Sequence, residues 1–141
     1  MLMSAFLWAV VTACVWGIVP VMEKVGIGRS EPLVGVCARS VGVVAGLVLV
    51  TLVSSPWKAV MGLSMSSFLL LALGGFLASF VGQFAFYHAL RLGHVSQVTP
   101  VAGAYPLIAA WLGWLILREP MTPGRWAGVT LIIAGVLFLR R

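Results

Sequence analysis

The sequence predicts an all-α integral membrane protein, built as a bundle of five transmembrane helices. Of its 141 residues, 62% are hydrophobic and only 9% are charged. A water-soluble domain needs a polar surface, and so few charged side chains cannot supply one. Five long apolar runs fill most of the chain, and most approach the ~20 residues that a helix needs to cross a bilayer. The runs are continuous rather than alternating, which excludes a transmembrane β-barrel.

Residue types at the ends of the runs define the helices. The first run ends near Met22, before a loop that holds the largest charge cluster of the chain. Serine or threonine precedes each later helix as a predicted cap, and proline opens the second and the fifth. These caps are Ser30 for the second helix, one of Ser64, Ser66 and Ser67 for the third, Ser96 for the fourth and Thr122 for the fifth. The five predicted helices span about residues 3–22, 33–53, 67–87, 98–117 and 123–139.

The turns before the fourth and fifth helices are short, which predicts antiparallel neighbours in one compact domain over residues 1–141. An odd number of crossings puts the two termini on opposite sides of the membrane. The net charge of +6 comes from single basic residues in loops and ends, without a basic stripe, so we expect a lipid bilayer and no nucleic acid as partner.

Lysine and arginine in the loops bias the orientation only weakly. One side would carry five of them, or six with Arg39, and the other side three. The positive-inside rule then slightly favours a C-terminus inside the cell. Insertion in one orientation and insertion in both orientations both remain open.

Small residues at helical spacing mark faces where helices can approach closely. The fifth helix carries the clearest such face, formed by Gly124, Gly128 and Gly135. Packing inside one bundle explains a face of this kind, and so does a dimer interface. We predict the dimer interface here, because no later helix of the sequence covers this one.

Arg39 is the ionisable residue that lies deepest in an apolar run, about two turns into the second helix. Charged groups at membrane depth are costly and are commonly functional. Arg39 would either face a water-filled cavity and pair with an anionic substrate, or extend its long side chain to the headgroups. No aspartate or glutamate lies deep in a run, so Glu23 is the only plausible host for a carboxylate-based coupling site.

Polar and aromatic side chains fall on common helical faces and predict the wall of a binding cavity. Each of them alone is also compatible with core packing. The predicted substrate-binding residues are Trp16, Arg39, Gln83, Tyr87, Gln97 and Tyr105. Three prolines, Pro20, Pro100 and Pro106, each remove a backbone donor and kink a helix, which predicts sites of kinking and gating.

Chemistry of other kinds has no support in the sequence. Nucleophile–base sets, paired carboxylates and metal-ligand spacings are absent, so we predict neither an enzyme nor a cofactor or metal. Cys14 and Cys37 lie within apolar runs and are interpreted as small hydrophobic residues.

Several segments together resemble the EamA family of the drug/metabolite transporter superfamily. They include Trp8 to Pro20 followed by Lys24, and Pro32-Leu followed by Arg39. The most specific segment runs from Tyr87 through Arg91 and Ser96 to Pro100. It continues as Tyr105-Pro106-Leu, then Leu117-Arg-Glu-Pro, and ends with Gly128 and Leu-Ile-Ile-Ala-Gly135-Val. This resemblance covers essentially the whole chain.

The resemblance implies half of an inverted-repeat transporter, because typical members have ten helices in two inverted halves. It implies a multi-pass protein of the bacterial inner membrane or the archaeal cell membrane. The function would be alternating-access transport of small organic metabolites, as a homodimer or with a second half-size chain. Two alternatives remain: an exporter of cationic or lipophilic drugs, and a non-transporting accessory subunit of a larger membrane complex. Small multidrug resistance proteins are similar in size, but they have four helices and a glutamate deep in the first helix. This sequence predicts five helices and lacks such a glutamate, so it does not match that class.

Overall fold

The computed structural model describes residues 2–54 and 57–139, without the side chains of residues 2–4, 58 and 59. The described residues are helical or in turns and contain no strand. In chain order the α-helices are α1 (Leu2–Ile27), α2 (Pro32–Val53), α3 (Trp57–Met61), α4 (Met65–Phe76), α5 (Gln83–Leu92), α6 (Val95–Ala102), α7 (Tyr105–Ile116) and α8 (Pro123–Leu139), with a π-helical segment at Leu77–Gly82 between α4 and α5.

Four helical stretches of the described residues are long and apolar enough to cross a membrane: Ala5–Ile27, Pro32–Val53, Met65–Leu92 and Val95–Ile116. The fifth apolar helix, Pro123–Leu139, has 17 residues and is ~25 Å long at 1.5 Å per residue. That length lies at the lower end of what spans a bilayer. The described residues therefore form an all-helical membrane protein, as predicted, with four stretches long enough to span a bilayer and a fifth, shorter apolar helix.

Helix α1 continues past the predicted end at Met22 and includes Glu23 and Lys24. These two charged residues remain helical because both have partners on α5: Glu23 accepts hydrogen bonds from two α5 side chains, and the Lys24 ammonium donates to the Leu90 carbonyl. The polar end of α1 is therefore part of the packed structure rather than of a loop.

The third stretch extends beyond the predicted residues 67–87 and is not a regular α-helix throughout. Six residues, Leu77–Gly82, form π-helix, and the rings of Phe76 and Phe80 stack at a centroid distance of 5.4 Å. A π turn contains more residues than an α turn and rotates the residues that follow it.

The fourth stretch is interrupted, whereas the sequence predicted one helix over residues 98–117. Helix α6 ends at Ala102 and α7 begins at Tyr105. Pro106 has no N–H to donate to the Ala102 carbonyl, so the chain turns here. The amide of Gly103 bonds the Thr99 carbonyl, and the amide of Leu107 bonds the Ala104 carbonyl.

Two of the predicted caps are confirmed and two are wrong. Ser64 accepts from the Ser67 amide at 3.2 Å, and Thr122 accepts from the Arg125 amide at 3.3 Å. The cap of α2 is Glu31 rather than Ser30, because the residue before a proline adopts extended backbone. The cap of α6 is His94, since that helix begins at Val95 and takes Ser96 into its first turn.

The described chain divides into two compact units, Met1–Leu92 and Gly93–Arg141. In the first unit α1, α2 and α5 pack against one another, and Ile27, Val36, Tyr87 and Leu90 form their buried core. In the second unit α8 packs against α6 and α7. The prediction of one domain over residues 1–141 stays a prediction.

Candidate functional site

The candidate site is a polar cluster in the first unit, where α1, α2 and α5 meet. Its centre is the carboxylate of Glu23 on α1, whose side chain is only 11% exposed. Oε1 of Glu23 accepts hydrogen bonds from Nε2 of Gln83 and from the hydroxyl of Tyr87, both at 2.9 Å. Nε of Arg39 on α2 lies 3.4 Å from the same oxygen. One carboxylate oxygen therefore connects three helices, and we call these four residues the Glu23 cluster.

Local helix geometry brings these groups together. Gln83 and Tyr87 are four residues apart in the regular helix α5, so they lie on one face. That face begins directly after the π-helical segment. Arg39 lies about two turns into α2, which starts at Pro32 with its first N–H already absent.

Gly35 allows the helices to approach closely enough for these contacts. A Cβ atom at Gly35 would lie 2.5 Å from Cδ1 of Ile27 and 3.1 Å from the ring carbons Cδ2 and Cε2 of Tyr87. A Cβ at this position would require the end of the Ile27 side chain to move and the Tyr87 ring, whose hydroxyl binds Glu23, to shift by a few tenths of an ångström. The backbone does not require a glycine here, because the φ of Gly35 is accessible to other residues. The close packing of Ile27 and Tyr87 is what favours glycine at this position.

The charges within the Glu23 cluster offset each other. Glu23 supplies one negative charge and Arg39 one positive charge, which makes the pair far less costly at membrane depth than either alone. The second oxygen of the carboxylate, Oε2, makes no hydrogen bond to any residue that the structure describes. The Arg39 side chain is 36% exposed, so part of the guanidinium is accessible from outside the cluster.

The structure brings together three of the six predicted substrate-binding residues: Arg39, Gln83 and Tyr87. Trp16 lies on α1, two turns before Glu23 and on the same side of that helix, with 57% of its surface exposed. Gln97 on α6 and Tyr105 at the start of α7 belong to the second unit, and both are exposed. Their role in binding a substrate stays a prediction.

Glu23 is the member of this cluster that the sequence-based prediction of the site left out. In the sequence it stands at the end of the first run, and it is predicted there only as a host for a carboxylate-based coupling site. The sequence does contain a signal for Glu23. It lies seven residues after Trp16, which places both on one face of a helix. Among the three acids of the chain, only Glu23 continues a face that carries a predicted substrate-binding residue in this way.

The predicted kink prolines and the predicted dimer face of α8 all lie in helices. Pro20 is buried within α1, Pro100 lies inside α6, and Pro106 is in the first turn of α7. A Cβ added to Gly124, Gly128 or Gly135 would meet no atom within 4 Å, so this face of α8 is open within the described structure. Among the described residues no group of three or more His, Cys, Asp or Glu is placed to hold a metal ion.

Comparison with known proteins agrees with this architecture. The chain is 28% identical over 132 residues to an "uncharacterized transporter in cobO 3'region" of Sinorhizobium sp. The matched segment covers 94% of this chain and 93% of that relative. An uncharacterized protein of Methanocaldococcus jannaschii is 36% identical over 59 residues, which are 42% of this chain and 43% of that protein. No solved structure matches the chain significantly. The EamA-like transporter family matches residues 3–141, and this multi-pass membrane protein therefore belongs to that family.

Proposed function

We propose that this protein transports small organic metabolites by alternating access, as a dimer of five-helix units in the bacterial inner membrane or the archaeal cell membrane. The observation that carries the proposal is the Glu23 cluster. Ionisable groups inside membrane-spanning helices are rare and mark substrate or ion pathways. Here a carboxylate and a guanidinium lie among apolar helices, and family membership supports transport as their purpose.

The cluster favours an anionic substrate, a carboxylate or a phosphate. A guanidinium has five N–H donors, and Nε of Arg39 is directed at Glu23. The terminal nitrogens make no hydrogen bond to any described residue, and the side chain is about one-third exposed. A planar anion could therefore bind these nitrogens in a bidentate manner while the pair with Glu23 remains in place.

Aromatic and amide side chains would complete the site. Trp16 is on the Glu23 side of α1 and would provide an apolar wall, and Gln97 and Tyr105 would provide hydrogen bonds. Cavities that bind small molecules combine apolar walls with a few placed polar groups. These three assignments come from the sequence pattern and are part of the proposal.

Irregular helices support the alternating-access part of the proposal. The π-helical segment Leu77–Gly82 precedes the two α5 residues of the cluster, and the turn at Gly103–Ala104 separates α6 from α7. Interruptions of this kind are tolerated in a membrane where the backbone lines a cavity, and they allow parts of a helix to move separately. We propose Pro20, Pro100 and Pro106 as the kinks that take part in this motion.

The replacement Arg39→Ala tests the anion site. Purified protein would be screened for thermal stabilisation by monocarboxylates, dicarboxylates and sugar phosphates, and each stabilising compound would then be tested for uptake into proteoliposomes. We expect the wild-type protein to be stabilised by at least one anion, and Arg39→Ala to lose that stabilisation and the uptake. A lost bidentate contact to an anion corresponds to a roughly tenfold or larger loss of affinity.

The matched control is Arg29→Ala, which removes an exposed loop arginine of the same unit. This variant should keep both stabilisation and uptake. If Arg39→Ala kept both as well, the proposed role of Arg39 would be wrong. Stabilisation by cations alone would favour export of cationic drugs instead, because Oε2 of Glu23 has no described partner and Trp16 could contact a cation through its ring face.

Pairing of two units leads to a prediction about topology. An inverted pair made from this one chain requires insertion in both orientations, which the weak charge bias allows. We expect reporters fused to the C-terminus, one active only in the cytoplasm and one only outside it, both to give signal. A single location would exclude the antiparallel homodimer, and co-purification would then distinguish a second half-size chain from a larger complex.

A further inference from the structure

The turn between α7 and α8 forms a cavity that the proposed transport function does not use. Its volume is about 490 Å³, and its lining includes Trp114, Arg118, Glu119 and Trp126. All of these residues belong to the second unit, whereas the Glu23 cluster belongs to the first. Because the turn joins two apolar helices, the cavity lies where the chain leaves the hydrocarbon and meets the lipid headgroups.

Two tryptophan rings form one wall of this cavity, which we call the turn cavity. The rings of Trp114 and Trp126 meet edge to face, with centroids 6.3 Å apart and an angle of 68° between their planes. Their surfaces are 46% and 45% exposed, so ring faces remain available to a ligand. An ammonium group is attracted to the face of an indole ring, which is the strongest cation–π partner among the side chains.

The backbone of the turn places an acid beside this wall. Arg118 has a φ of 55°, a left-handed conformation that ends α7. The carbonyl of Gly113 consequently accepts from both Leu117 and Glu119 amides. The carboxylate of Glu119 then lies over Gly113, where Oε2 would be 3.5 Å from an added Cβ. Glu119 and Trp114 both line the turn cavity, so the acid and the indole face the same space.

The segment of the turn that leads into α8 is also held by hydrogen bonds. The Arg125 guanidinium donates to the Pro120 carbonyl at 2.6 Å, and Thr122 caps the start of α8. The turn cavity therefore combines a fixed backbone, two indole faces, one carboxylate and the guanidinium of Arg118. Its two lining charges have opposite sign.

We propose that the turn cavity binds the zwitterionic headgroup of a phospholipid that carries an amine. The ammonium group would lie against Trp114 and Trp126 and pair with Glu119, and the phosphate would pair with Arg118. This chemistry selects against an anionic lipid without an amine, because such a lipid would present no cation to Glu119 and the indoles. The proposal concerns the second unit alone and does not depend on transport.

Native mass spectrometry of the purified full chain in detergent provides the test. Phosphatidylethanolamine and phosphatidylglycerol with the same acyl chains would be titrated separately. We expect tighter binding of phosphatidylethanolamine by the wild-type protein, and Glu119→Gln should remove this preference. Arg118→Gly should weaken binding of phosphatidylethanolamine by roughly tenfold, since it removes a charge-assisted contact. Glycine is suited to the positive φ, so this variant keeps the turn.

The matched control is Glu31→Gln, which removes the carboxylate of an exposed glutamate whose side chain makes no capping bond. It should leave the lipid preference unchanged. Equal binding of both lipids by the wild type, or an equal loss in Glu31→Gln and Glu119→Gln, would overturn the proposal. Dissolved phosphoethanolamine provides a second arm: tight binding of this solute without competition by the lipid would assign the cavity to a soluble ligand and overturn the lipid assignment.

Discussion

Replacing Glu23 by alanine is expected to destabilise the protein by about 3 kcal/mol, because it removes the acceptor of two hydrogen bonds and leaves Arg39 without its ion-pair partner. Breaking a buried ion pair costs ~3–5 kcal/mol, and the partial exposure of Arg39 places the effect at the lower end of that range. The measurement is the free energy of unfolding in mixed micelles with increasing denaturing detergent.

The double variant Glu23→Ala/Arg39→Ala separates the charge effect from the loss of packing. We expect it to be more stable than Glu23→Ala alone, because it leaves no unpaired guanidinium among the helices. Glu31→Ala serves as the control, since Glu31 is exposed and its side chain makes no capping bond to α2. Equal stability of Glu23→Ala and Glu31→Ala would mean that the Glu23 cluster does not hold the three helices together.

Replacing Gly35 by leucine is expected to have a destabilising effect of ~3 kcal/mol or more, at the upper end of the usual cost of overpacking. Its Cβ alone would lie 2.5 Å from Ile27 and 3.1 Å from the Tyr87 ring. The remaining leucine atoms crowd the Ile27 side chain and the Tyr87 ring further, and the ring carries the hydroxyl that binds Glu23. The unfolding measurement used for Glu23→Ala gives the size of the effect.

The same helix offers a matched control in Gly42→Leu. A Cβ at Gly42 would meet no atom within 4 Å, so a leucine there has open space within the described structure. Since leucine is a better helix former than glycine, by up to ~1 kcal/mol in soluble hosts, we expect unchanged or slightly higher stability. If Gly35→Leu behaved like Gly42→Leu, the close packing of α2 on α1 and α5 would be contradicted.

The apolar runs were sufficient to predict the class of fold, because a membrane imposes a length and a composition on every helix that crosses it. The bounds of the last helix, Pro123–Leu139, agree with the prediction because a cap and a proline mark its start. The irregular parts were not predictable in the same way. The π turn at Leu77–Gly82 has no signal in residue type.

Part of the candidate site was predictable because a membrane-spanning helix has few polar residues, so each one stands out in the sequence. Arg39, Gln83 and Tyr87 were identified because polar side chains in apolar runs are unusual. Glu23 is predicted only as a host for a coupling site and not among the substrate-binding residues, because the polar end of α1 resembles the beginning of a loop, whereas its partners lie on α2 and α5. Contacts between segments some 60 residues apart, such as Glu23 and Gln83, cannot be deduced from the spacing within one segment.

The ion pair between Glu23 and Arg39 also bears on how the chain is made. It joins α1 to the next helix in sequence, whereas Gln83 and Tyr87 are synthesised much later. During translation the first hairpin can therefore enter the bilayer as an electrically neutral pair, before the third span exists to donate its hydrogen bonds. Arg39 would then act first as the ion-pair partner of Glu23 during insertion, and only afterwards as part of the complete Glu23 cluster.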